Sequence, residues 1–88
     1  MSNLQDDWER VALRRPPVKD PNAAVADFDY NKNTQKYRVT VHKGGRNLSK
    51  QFNADRPYTV LMGMSMNDFI KAESMAVDLE RKLDLVLP

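Results

Sequence analysis

The chain has 88 residues and no cysteine, it is 41% hydrophobic and 30% charged, and its formal net charge is +2. A single domain is expected at this length, which buries about 60–65% of the unfolded surface, so dimerisation would add stability. The composition excludes a disordered chain, the lack of cysteine excludes disulfides and thiolate metal sites, and no apolar run is long enough to span a membrane. Without a signal-peptide pattern, we expect a cytoplasmic protein.

The N-terminal segment, residues 1–15, is predicted to contain a short helix. Its apolar residues recur at helical spacing, and Asn3 is a suitable N-cap. These apolar residues are Leu4, Trp8, Val11 and Ala12. The prolines at positions 16 and 17 end the helix, because proline excludes its predecessor from the α region. Residues 16–23 are therefore expected to form an extended connector.

Three strands are predicted next. Residues 24–30 alternate between apolar and acidic side chains, which predicts a first strand followed by a polar turn. Residues 37–52 contain two alternating runs around Gly44 and Gly45, and glycine tolerates the positive φ of a two-residue hairpin turn. This turn would pair residue 43 with residue 46, and residue 37 with residue 52.

That pairing gives the hairpin two different faces. The apolar face is interrupted by Lys50 and otherwise consists of Tyr37, Val39, Val41, Leu48 and Phe52. The polar face consists of Arg38, Thr40, His42, Asn47, Ser49 and Gln51. An isolated hairpin is marginal in water, so its apolar face needs a cover.

The C-terminal part predicts the longest helix of the chain. Ser65 and Asp68 have the spacing of a capping box, although glutamate is usual at the second position, and Asn67 is a competing N-cap. The apolar residues recur every three or four positions, at Phe69, Ala72, Ala76, Leu79, Leu83 and Val86. Residues 57–64 are compatible with a fourth strand, a helical turn broken at Gly63, or a packed loop. The predicted fold is one α+β domain spanning residues 1–88: a three-stranded antiparallel meander packed on the C-terminal helix, with a core at residues 24–88 and a short N-terminal helix.

Basic residues are concentrated in the middle of the chain. Residues 31–56 contain seven basic side chains and one acidic side chain, a net charge of +6. Together with a two-stranded ribbon that fits the major groove, this predicts DNA as a partner. The predicted contacts are the polar face and its rim, namely Arg38, Thr40, His42, Lys43, Arg46, Asn47, Ser49 and Lys50. The alternative is an ordinary solvated sheet face, and Asp27 and Asp29 can lie beside the hairpin and neutralise part of its charge.

The segment KYRVTVHKGGRNLSKQF resembles the strands of the arm-type DNA-binding domain of tyrosine recombinases. In that domain, Tyr-Arg-Val, then Gly-Gly or Gly-Lys, then Arg-x-x-Ser-Lys-x-Phe precede a helix. The resemblance implies a three-stranded sheet in the major groove, with DNA facing Arg38, Thr40, Arg46, Ser49 and Lys50. The family has a short loop where this chain has residues 53–65. Since a recombinase catalytic domain is lacking, the expected function is that of a small accessory or regulatory protein of phages or mobile elements.

A second hypothesis is a protein-interaction module, such as an inhibitor or adaptor, that can also self-associate. It would bind through an apolar surface formed by Trp8, Met62, Met64, Met66, Leu85 and Leu87. The alternative is that the methionines fill the core and that Trp8 docks on the sheet. Catalysis is not expected, because His42 is the sole histidine and has no evident triad partner; no metal, cofactor or small-molecule substrate is predicted.

Overall fold

A computed structural model describes residues 7–13 and 23–86. In chain order its elements are β1 (Trp8–Arg10), β2 (Val25–Asn31), β3 (Lys36–Lys43), β4 (Arg46–Asn53) and α1 (Met66–Val86). The strands form one antiparallel sheet in the order β1-β2-β3-β4, and α1 packs against one of its faces. The α+β class is confirmed, and the described residues form four strands rather than the three predicted.

The β3–β4 hairpin has the predicted register. Lys43 pairs with Arg46 beside the turn, and Tyr37 pairs with Phe52 at the far end. Gly44 and Gly45 have φ values of 59° and 76°, a left-handed pair that suits a type I′ turn and that side chains with a Cβ rarely adopt. The two glycines therefore set which side chains of the hairpin share a face.

The predicted N-terminal helix is wrong for the residues that the structure describes. Residues 8–10 form strand β1, in which Trp8 pairs with Asn31 and Arg10 pairs with Asp29. The Val11 amide continues this pairing by donating a hydrogen bond of 2.8 Å to the carbonyl of Phe28. Pairing with the edge of β2 satisfies backbone groups on both segments, and this tertiary gain outweighs a short helical pattern. The remainder of the predicted helix, and residues 16–22 of the connector, lie outside the described residues.

The core lies between the sheet and α1. Most of its buried members come from the two central strands and from one stripe of the helix. They are Phe28, Tyr30, Tyr37, Val39, Val41, Ala72, Leu79 and Leu83, joined by Val11 and Tyr58. Burial of each large side chain contributes about 1.5–3 kcal/mol, so this seam supplies much of the stability.

The segment between β4 and α1 is a loop that packs on the fold at Tyr58 and projects a turn at residues 59–63 into solvent. Ser65 caps the helix as predicted, since its hydroxyl accepts a hydrogen bond of 3.1 Å from the Asp68 amide. The fully buried carboxylate of Asp68 instead accepts hydrogen bonds from the loop amides of Asp55 (2.8 Å) and Arg56 (3.4 Å). Tyr58 is buried, and its hydroxyl accepts a hydrogen bond of 3.3 Å from the Ala12 amide. These bonds tie the loop to the segment that follows β1 and to the first turn of α1.

Candidate binding surfaces

The sheet face turned away from α1, here called the open face, carries a network of ion pairs. Arg10 contacts Asp29 at 2.9 Å and Asp27 at 3.1 Å. Asp29 also contacts Arg38 at 3.4 Å, and Asp27 lies 3.3 Å from the imidazole of His42. Both acidic residues lie on the face predicted to bind DNA, and they compensate part of its positive charge.

Trp8 covers one end of this network. The guanidinium of Arg38 lies 4.4 Å from the centre of the Trp8 ring, which is a cation–π distance. Trp8 thus docks on the sheet, as one of the two alternatives predicted, and it does so from a strand instead of a helix.

The hydrogen bond from Arg10 to Asp29 raises the pKa of the Arg10 guanidinium, although partial burial opposes this shift.

The eight predicted nucleic-acid contacts are divided between the two faces of the sheet. Cross-strand pairs share a face, and the pairing places Arg38, Thr40, His42, Asn47 and Ser49 on the open face. Lys43, Arg46 and Lys50 lie on the side of α1, with Val41, Leu48 and Phe52. The expected positive rim of the polar face is therefore not formed by these three residues.

Lys43 is bound to the helix. Its ammonium group lies 2.7 Å from the carboxylate of Asp84 and 3.8 Å from that of Glu80. The hydrogen bond to Asp84 is the main reason that the pKa of Lys43 is raised. Lys43 thus joins the hairpin to α1, and its charge is compensated within the fold.

A groove runs between the outer edge of β4 and α1, and we call it the edge groove. It encloses about 600 Å³, and its apolar lining includes Phe52, Ile70, Met75 and Leu79. Its charged lining consists of Lys50, Lys71, Asp78, Arg81 and Lys82. Within the described ranges, none of these four cations forms an ion pair. Sequence reasoning missed this site, although Lys50 in an otherwise apolar strand face was a signal for it.

The second exposed apolar feature is a turn at Val60, Leu61 and Met62, which we call the apolar turn. Their exposed fractions are 76%, 99% and 67%. The turn is closed by a hydrogen bond of 2.7 Å from the Gly63 amide to the Thr59 carbonyl, and the Met62 amide donates to the Thr59 hydroxyl at 3.1 Å. Gly63 has a φ of 70°, which glycine adopts without strain. Three apolar side chains are therefore held in solvent by an ordered backbone.

The other predicted partner residues are distributed more widely. Met66 is 71% exposed and adjoins a second groove, about 340 Å³ in volume, that it lines together with Val11, Leu13, Met64 and Phe69. Met64 packs against the core, as the filler alternative predicts, and Met75 does the same. Leu85 is 84% exposed at the end of α1. Leu87 lies outside the described residues.

Neither a metal centre nor a membrane span is evident in the described parts of the chain. Residues 7–13 and 23–86 contain no cluster of His, Asp or Glu residues able to hold a metal ion. The same residues include no helix with the length and hydropathy needed to cross a bilayer. Comparison with known proteins finds no matching family model, no matching curated protein and no matching solved structure. The resemblance to the recombinase arm-type domain stays a prediction.

Proposed function

We propose that this chain is a small, non-catalytic protein-binding module, and that the apolar turn together with Met66 is its primary contact. The observation that carries this proposal is the exposure of Leu61, which is 99% accessible between two other exposed apolar residues. Single exposed apolar residues are common, but a contiguous exposed group is typical of interaction sites. The partner is expected to offer an apolar pocket that receives the Leu61 side chain.

The ordered backbone of the turn favours binding over simple tolerance of exposed residues. Its two internal hydrogen bonds and the left-handed Gly63 hold residues 59–63 in one conformation. A turn whose backbone is already ordered loses less conformational entropy when it binds. Buried apolar side chains at the centre of an interface usually supply most of its binding energy.

Site-specific photocrosslinking tests this function. A photoreactive phenylalanine analogue replaces Leu61 in the full chain, expressed in the cells that contain the protein, and the crosslinked products are identified by mass spectrometry. The matched control carries the analogue at Lys32, an exposed residue in the turn between β2 and β3. We expect one partner protein to be crosslinked from position 61 and not from position 32. The purified partner should bind the Leu61→Ser variant at least tenfold more weakly than it binds the wild-type chain.

Two results would reject the proposal. One is a set of crosslinked proteins that is the same at both positions. The other is a crosslinked partner that binds Leu61→Ser and the wild-type chain equally well. Sedimentation of both proteins at several concentrations separates self-association from binding to another protein, because a dimer through this turn dissociates in Leu61→Ser.

DNA binding through the open face is a second candidate, favoured by the uncharged polar residues there. Asn47, Ser49 and Gln51 are exposed on β4, and Thr40 lies beside them on β3. Hydroxyl and amide groups of this kind can contact phosphates and base edges. On this hypothesis, Asp27 is inhibitory, because its charge lies beside Arg10 and His42.

Fluorescence anisotropy with a labelled 20-base-pair duplex tests this candidate. Asp27→Asn should tighten binding about threefold at 50 mM salt. It should also make log affinity fall more steeply with log salt concentration, a slope that is roughly −0.9 per phosphate contact. The control is Asp78→Asn, which makes the same charge change on α1. If both variants strengthen binding equally, general charge explains the effect, and the open face is not the binding surface.

A further inference from the structure

We infer that the edge groove binds an extended acidic peptide, which adds to β4 as a fifth antiparallel strand and places one apolar side chain between β4 and α1. The edge groove shares no residue with the apolar turn or with Met66. The proposed function and this inference can therefore be tested independently, and one can be wrong while the other is right. The inference combines three observations: a free strand edge, an apolar groove beneath it, and a rim in which positive charges outnumber negative ones.

The strand edge comes first. β4 runs over eight residues, Arg46–Asn53, and within the described residues it pairs with β3 alone. In a two-residue hairpin the pair beside the turn exchanges both backbone hydrogen bonds, and this pattern recurs at every second pair. The backbone groups of Asn47, Ser49 and Gln51 consequently point away from β3. These are the groups that a partner strand would engage.

The groove beneath this edge suits one apolar side chain. Side chains of an added strand alternate between the open face and the side of α1. A side chain directed towards α1 enters the space lined by Phe52, Met75 and Leu79. Ser74, which is small and exposed, leaves the middle of the helical wall open.

The charge of the rim selects an acidic peptide. Lys50, Lys71, Arg81 and Lys82 line the groove with a single acidic residue, Asp78. The spacing adds a further constraint, since Lys71 and Arg81 are ten residues apart, about 15 Å along a helix. Residues i and i+4 of a strand lie about 13 Å apart. The motif that fits is acidic-x-apolar-x-acidic, with the apolar residue in the groove and an acidic residue near each cation.

A second copy of this chain is a poorer occupant. Pairing of two β4 edges would bring two Lys50 side chains, both directed to the side of α1, close to each other. A lysine on the inner face of an edge strand is a known device against edge-to-edge association. The same lysine attracts an acidic strand, so one residue disfavours the self-paired arrangement and favours the proposed ligand.

Fluorescence polarisation with a defined probe tests this inference. The probe is a fluorescein-labelled nine-residue peptide, Ser-Thr-Glu-Thr-Leu-Thr-Glu-Thr-Ser, titrated with the full chain. We expect saturable binding that weakens about tenfold in Lys71→Glu/Arg81→Glu. The matched control, Lys32→Glu/Lys36→Glu, has the same net charge, but Lys32 lies in the β2–β3 turn and Lys36 is the first residue of β3, both outside the groove. Its affinity should change less than twofold. Ser74→Trp should fill the groove and abolish binding, whereas Leu85→Trp, outside the groove, should not.

The peptide itself tests the geometry of binding. In an antiparallel addition, the two threonines next to leucine direct their amides to β4, and the leucine amide points away. N-methylation of those threonines should abolish binding, and N-methylation of leucine should be tolerated. Equal tolerance of both modifications would overturn strand addition. Circular dichroism confirms that each protein variant is folded.

Three other results would overturn the inference. The first is no binding by the probe or by an array of acidic-x-apolar-x-acidic peptides. The second is concentration-dependent dimerisation that Ser74→Trp abolishes, which would assign the groove to a second copy. The third is displacement of the probe by a 20-base-pair duplex whose own binding is weakened by Lys71→Glu/Arg81→Glu, which would assign the cations to phosphates. None of these results bears on the crosslinking experiment at Leu61.

Discussion

The two faces of the sheet treat their charged residues differently. On the open face, Asp27 and Asp29 form ion pairs with Arg10 and Arg38, and Asp27 also contacts the imidazole of His42. In the edge groove, four cations have no ion-pair partner among the described residues. The charges of the open face therefore contribute to the stability of this fold, whereas those of the groove are available to another molecule. Surface charge suggests a binding site only after internal pairing has been accounted for.

This comparison predicts its largest effect at Asp29. Its side chain is 8% exposed and pairs with two arginines, so Asp29→Ala leaves both guanidinium groups without their nearest carboxylate. We expect the free energy of unfolding to fall by about 2 kcal/mol in urea denaturation. The matched variant in the groove is Asp78→Ala, which should change it by less than about 0.5 kcal/mol, because Asp78 is exposed and alanine favours the helix. Equal losses in the two variants would contradict the comparison.

Trp8 should have the next largest effect. Trp8→Ala removes the cation–π contact with Arg38, the arginine that pairs with Asp29. A loss of about 1–2 kcal/mol is expected in the free energy of unfolding, measured by circular dichroism. A double-mutant cycle with Arg38→Ala isolates the contact, whose coupling energy should be about 0.5–1 kcal/mol. A coupling energy of zero would mean that Trp8 stabilises the fold through burial alone.

A buried polar group on the other face should behave in the opposite way. The hydroxyl of Tyr37 is buried on the side of α1 and has no hydrogen-bond partner within the described structure. Tyr37→Phe removes an unsatisfied group without changing the packing, so the free energy of unfolding should rise by about 1 kcal/mol. A decrease would show that the hydroxyl has a partner.

Tyr37 also predicts how stability depends on alkaline pH. Burial raises the pKa of its hydroxyl well above the ordinary value of about 10. The unfolded chain releases this proton near pH 10, whereas the folded chain retains it. Titration of Tyr37 therefore leaves the free energy of unfolding unchanged below pH 10 and lowers it as the pH rises above 10. Denaturation at pH 8 and pH 10.5 should show a smaller alkaline loss in Tyr37→Phe than in wild type. Tyr30, whose pKa burial also raises, should account for part of the remaining loss.

The parts of the fold that depend on short-range signals were predictable. Gly44 and Gly45 set the hairpin register, and Ser65 set the start of α1, because each feature is determined by residues close in sequence. Strand β1 was mistaken for a helix, since three residues are too few to show alternation and their partner, β2, lies about 20 residues away.

The candidate sites illustrate the same limit. The alternating pattern placed Arg38 and His42 on one face correctly. The ion pair between Arg10 and Asp29 on that face could not be predicted, because it depends on where β1 joins the sheet. The edge groove combines Phe52 from the hairpin with Leu79 from the helix, and the distance between such elements has no local signature. The sequence did not predict the exposed apolar turn either, because the pattern of residues 57–64 is compatible with several structures. Local pattern thus predicted faces, and tertiary contacts determined which faces are available.

Arg81 should have the smallest effect on stability, and it gives the sharpest contrast with Arg10. Both are exposed arginines, but Arg10 contacts two carboxylates, and Arg81 contacts none among the described residues. Arg10→Ala should lower the midpoint of urea denaturation, whereas Arg81→Ala should leave it unchanged within experimental error. In peptide binding the order should be reversed, with Arg81→Ala weakening the probe and Arg10→Ala leaving it unaffected. If the same arginine substitution altered both the denaturation midpoint and the affinity for the probe, the proposed division between stabilising charges on the open face and binding charges in the edge groove would be wrong.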